Sequence, residues 1–95
     1  MEINITSVPT EFSAYIDGAD TIRLDRKSVY YLQGTNEING EVIFDIDSSL
    51  ASIIETNNNK CVVHANNKNQ LGEVILLATY DGKTYEKTIR IVPLW

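Results

Sequence analysis

Residues 73–92 constrain the fold more than any other part of the chain. Val74, Leu76, Ala78 and Tyr80 alternate with other residues, Asp81-Gly82 follows, and Ile89 and Ile91 share one face of the segment 84–92. A side-chain period of two belongs to a strand with one buried face. Asp-Gly accepts positive φ at both central positions of a type I′ turn, whose twist matches that of the flanking strands. The segment is therefore expected to form a β-hairpin, and its apolar face needs a second layer to cover it.

The rest of the chain offers further strands and no helix. Ile and Val supply 19 residues and Thr another 8, a β-branched bias that suits pleated surfaces and works against helices. Short extended runs are expected at 12–16, 21–24, 29–33, 41–46, 50–54 and 61–65. Asp17-Gly18, Gly34, Asn39-Gly40, Asn57-Asn58-Asn59 and the segment 66–71 punctuate them. Asn39-Gly40 is a hairpin signal and predicts that the strands around it are joined there or close by. No window sustains a 3.6-residue period.

About seven short strands with turn signals every 8–12 residues predict an all-β, immunoglobulin-like β-sandwich of antiparallel strands. Residues 11–95 form that domain. Residues 1–10, in which Ile3 and Ile5 alternate before Pro9 breaks the run, are a lead-in strand or linker. The expected core is Tyr30, Leu32, Val42, Phe44, Ala51, Ile53, Cys61, Val63, Val74, Leu76, Ala78, Ile89 and Ile91. The closing strand 84–92 is expected near a sheet edge, with Glu86, Thr88 and Arg90 outward to discourage indiscriminate pairing.

Charge and cysteine content narrow the function. Eight basic against 13 acidic side chains give a net charge of −5, which opposes the phosphate neutralisation that nucleic-acid binding requires, and equally an acidic membrane surface. No run approaches the length of a bilayer span, so membrane insertion is not expected. A single cysteine, Cys61, excludes an internal disulfide, and one histidine, His64, leaves too few ligands for the usual zinc spacings. Cys61 and His64 differ in strand parity, so they cannot act as a nucleophile–base pair. Asp45 with Asp47, and Asp17, Asp20 and Asp25, are close in sequence but match no calcium loop and read as turn and strand-end residues. No catalytic, metal or cofactor residues are expected, and no cofactor.

Two segments resemble the bacterial immunoglobulin-like domains of the group 2 type, found in invasin- and intimin-like adhesins and on many phage virion proteins. Asp47-Ser48-Ser49-Leu50-Ala51-Ser52-Ile53 is similar to the family's polar turn and apolar-Ala-polar-apolar strand. Gly72-Glu73-Val74-Ile75-Leu76-Leu77-Ala78-Thr79-Tyr80 is similar to its Gly-x-apolar-x-apolar-x-Ala strand, and the hairpin that follows also fits. The ending Ile91-Val92-Pro93-Leu94-Trp95 resembles phage tail and minor structural proteins that finish in such a domain.

The resemblance implies a non-enzymatic accessory module of a phage virion or surface protein, for spacing, presentation or weak surface attachment. It also implies a virion or extracellular location and a monomeric domain within a larger protein. The alternative is a bacterial cell-surface adhesin repeat that binds host protein or carbohydrate. Partners would be other virion or cell-surface proteins, or surface carbohydrate. The contact residues expected are the loop-borne Asn57, Asn58, Asn59, Asn66 and Asn67 and the aromatic Tyr31, Tyr85 and Trp95, because a rigid sandwich can hold out polar loops and stacking rings without disturbing its core.

Overall fold

The computed structural model describes residues 13–47 and 49–94. The expected lead-in 1–10, Phe12, Ser48 and Trp95 lie outside the described residues. Eight strands make up the fold: β1 (Ala14–Asp17), β2 (Thr21–Arg23), β3 (Lys27–Gly34), β4 (Ile43–Ile46), β5 (Ala51–Asn57), β6 (Lys60–Ala65), β7 (Gly72–Tyr80) and β8 (Lys83–Val92). They form two four-stranded sheets, β1-β3-β6-β5 and β2-β8-β7-β4. With β2 set aside as an extra strand beside β8, that order matches the ABED and CFG sheets of an immunoglobulin-like sandwich.

The strands number eight rather than about seven, and the runs expected at 12–16 and 21–24 join different sheets, as a first strand divided between them. β1 pairs antiparallel with β3, Ile16 opposite Leu32; after Gly18, Ala19 and Asp20 the chain crosses over, and β2 pairs parallel with β8, Ile22 opposite Ile91. Not every pairing is therefore antiparallel. β2 covers the outer side of β8 only along Arg90–Val92; residues 83–89 of the closing strand have, among the described residues, no strand on that side, so most of it runs along a sheet edge as expected. The edges are β1 and β5 in one sheet, β2 and β4 in the other.

Asn39-Gly40 does not close a hairpin. β3 and β4 lie in different sheets, and the intervening segment crosses between them. Of the pair only Gly40 has positive φ, +101°, whereas a type I′ turn needs both. The crossing is pinned by Tyr80, whose hydroxyl accepts from the Asn39 N–H and donates to the Asn39 carbonyl, each at 3.1 Å. Asp81-Gly82, with φ of +53° and +80°, does form the expected turn between β7 and β8.

Every expected core residue is buried except Phe44 and Ile53, which are half-buried and pack against the cluster. Phe44 stands on the short edge strand β4, one flank of which has no neighbouring strand among the described residues. Ile16, Ile22 and Leu24 from the divided first strand, and Ala65 from β6, complete the core. Lys87 has the inward parity of Ile89 and Ile91, and its amine reaches out to Asp20 at 2.7 Å on the β1–β2 connection.

The two ends of the sandwich are distinct. One gathers the start of β1, the β3–β4 crossing and both tight turns: the Thr35 N–H donates to Ser13, and the Val42 N–H to Asn58. The other gathers the β2–β3 turn, the segment 66–71 and the end of β8. There the Asp25 N–H donates to Asn66 and the Leu24 N–H to Val92.

Candidate functional site

Cross-strand register assembles the most ordered candidate surface on the outward face of the β1-β3-β6-β5 sheet. Asp17, Tyr31, Lys60 and Asn57 stand opposite one another in a single row across all four strands. Tyr31 is 40% exposed. Val29 lies opposite Val62 in the next row on one side, and Tyr15 opposite Gln33 on the other. Tyr15 is 60% exposed, which makes it the most open aromatic side chain of this face. Two of the residues expected to contact a partner, Tyr31 and Asn57, thus meet on one face with Tyr15, a residue the sequence reading left out although it alternates with buried Ile16.

The other expected contacts divide between open and committed side chains. Asn58 is exposed and carries φ +55° in the two-residue turn between β5 and β6. Asn59 is turned inward: its amide donates to the Leu32 carbonyl at 2.9 Å, and its own carbonyl accepts the Leu32 N–H. Asn66 uses its amide on the Leu50 and Gln70 carbonyls and its oxygen on the Lys68 and Gln70 N–H groups, so it builds the segment 66–71 from within. Asn67 stays exposed and lines an open hollow of about 330 Å³ with Asn69, Asp25, Leu24, Pro93 and Leu94.

Tyr85 lies opposite Ala78, half-buried against the core, and its hydroxyl is enclosed without a hydrogen-bond partner among the described residues. Its parity with Ile89 and Ile91 was the signal for this placement. Trp95 lies outside the described residues.

Cys61 and His64 point to opposite sides of β6. Cys61 is fully buried, and burial pushes its thiol up from 9.0 to about 12, which keeps it protonated and a poor nucleophile at neutral pH. On the outward side His64 Nε2 sits 3.2 Å from Asp25 Oδ1. Ser52 faces His64 in register, but no hydrogen bond joins them among the described residues. Among those residues no three His, Cys, Asp or Glu side chains are placed to share a metal ion.

No protein-family model and no curated protein matches the sequence. What the geometry offers is surfaces for contact: a tyrosine-bearing sheet face and an asparagine-rimmed hollow at one end.

Proposed function

We propose that the chain is a non-enzymatic accessory module of a phage virion or surface protein, similar to the bacterial immunoglobulin-like domains of the group 2 type, that spaces or presents binding elements. The observation that supports this reading is where the strands start and stop. β1 begins beside Thr35, at the end with the two tight turns, while β8 finishes beside Arg23 at the opposite end. Modules joined through such strands extend in series, so each one lengthens the array. Small-angle scattering of two copies fused head to tail tests it: a maximum dimension near the sum of two module lengths is expected, and a pair folded side by side would remove the spacing role.

The second reading, a bacterial cell-surface adhesin repeat, is favoured by Tyr15, Tyr31 and Asn57 on one open face, because rings and amides of this kind dock sugar faces and partner side chains. Binding to a glycan or host-protein panel that is lost in Tyr15→Ala/Tyr31→Ala supports it; a panel silent for the native chain counts against it.

A further inference from the structure

β7 is longer than the strand beside it. β8 flanks all of β7, from Gly72 opposite Ile91 to Tyr80 opposite Lys83. β4 accompanies it only from Leu76 to Thr79, because the β4 ladder stops at Ile46. Residues 72–75 therefore have a strand on one side and, among the described residues, none on the other. Such an edge is a template for another strand.

The space beside this edge is an open depression of about 470 Å³. Its apolar surface comes from Ile46, Leu77 and Ile75, the last 46% exposed. Its rim carries four carboxylates, from Asp45, Asp47, Glu73 and Glu86. Asp45 and Asp47 accept the backbone N–H groups of Ile46 and Ser49, and among the described residues no Lys or Arg pairs with either. Among the described residues, Glu73 alone of the four has a cation within 4 Å, Arg90 at 3.7 Å with both side chains exposed.

We propose that this notch docks an extended segment of a partner protein in which Lys or Arg alternates with apolar residues, added as a strand beside residues 72–75. A strand sends successive side chains to opposite faces. Apolar side chains of the segment then turn inward beside Val74 and Ile46. The basic ones lie outward beside Asp45, Glu73 and Glu86, with their methylene stems covering Ile75 and Leu77. A net charge of −5 disfavours a second copy of this chain as the occupant. The proposal is independent of whether the module acts as a spacer.

The test is a titration of the full isotope-labelled chain with a synthetic peptide of alternating Lys and Val, beside a Glu/Val peptide of the same length. The expected result is saturable shifts confined to residues 45–47 and 72–77 for the basic peptide alone. Amide exchange should slow at 72–75, and affinity should fall roughly tenfold in Asp45→Lys/Glu73→Lys, as for charge pairs at a rim. A backbone N-methylated basic peptide, which keeps the charges but cannot extend the sheet, is expected to lose binding whatever the variant does. Equal response to both peptides, shifts elsewhere, undiminished binding of the N-methylated form or no saturable response overturns the proposal.

Discussion

The ring of Tyr30 lies against the bare Cα of Gly18, so close that a Cβ at position 18 would overlap it, and the Tyr30 hydroxyl donates to the Ala19 carbonyl at 2.7 Å. This contact sits where the first strand leaves one sheet for the other. Tyr30 is fully buried on β3, and its hydroxyl holds the β1–β2 connection over the core. Gly18→Ala should therefore act as overpacking, at a cost of about 1–3 kcal/mol. Tyr30→Phe should cost about 1 kcal/mol, for one hydrogen bond lost from a buried ring. Denaturant midpoints at unchanged slope would measure both; a Gly18→Ala midpoint equal to the native one would contradict the close approach.

Stability should fall in alkali. Burial raises the Tyr30 hydroxyl from 10.0 to about 12 and the Cys61 thiol from 9.0 to about 12. Both groups are neutral when protonated, and the folded state holds the proton more tightly. Between pH 9 and 12 the unfolded chain binds fewer protons than the folded one, so stability declines as pH rises, with no contribution from these groups at neutral pH. Urea melts across this window should show the decline, and Cys61→Ala should move its onset from about pH 9 to about pH 10, where unfolded tyrosine ionises. A flat profile would contradict the burial of both groups.

The Cys61 thiol should be silent until the sandwich opens. It is fully enclosed between the sheets, and a protonated, inaccessible thiol does not attack a disulfide reagent. Labelling at neutral pH is expected to track global unfolding in denaturant; rapid labelling of the native chain would show that β6 is exposed.

Neighbouring asparagines should behave differently. Asn66→Ala removes four side-chain hydrogen bonds that build the segment 66–71 and is expected to cost about 1–3 kcal/mol. Asn67→Ala, at an exposed position next to it, should stay within about 0.5 kcal/mol. Asn59→Ala should resemble Asn66→Ala, because it strips a donor from the Leu32 carbonyl. Thermal melts of the three variants would separate these cases.

At the acidic end, Asp20 should titrate below the usual carboxylate range, because the Lys87 amine donates a hydrogen bond to it and adds an opposite charge. A depressed carboxyl contributes stability above its unfolded value and loses it as pH falls through the folded one. Carboxyl-carbon NMR should show Asp20 return to the ordinary range in Lys87→Met; an unmoved titration would show that the pair is not formed in solution.

The sequence by itself determined the strands and which of their faces is buried. Period-two alternation is local: Val74, Leu76 and Ala78 read as inward from their own spacing, and Asp81-Gly82 closes a turn that needs no information beyond itself. Tyr85 shares its parity with Ile89 and Ile91, yet it is expected as an open contact residue, and the structure packs it against the core. What a local pattern cannot carry is which distant strand becomes the neighbour. Asn39-Gly40 has hairpin chemistry, yet β4 joins β7 rather than β3, because the choice of sheet depends on where Phe44 and Ile46 find apolar surface to cover. The parallel pairing of β2 with β8 joins residues about seventy positions apart and is fixed only by the crossing at Gly18. Side-chain commitment was decided in the same way. Asn59 and Asn66 have the composition of free loop residues, and the approach of Leu32 and Leu50 gives their amides long-range backbone partners. The row Asp17, Tyr31, Lys60, Asn57 and the notch beside residues 72–75 likewise exist only once four strands have set their register.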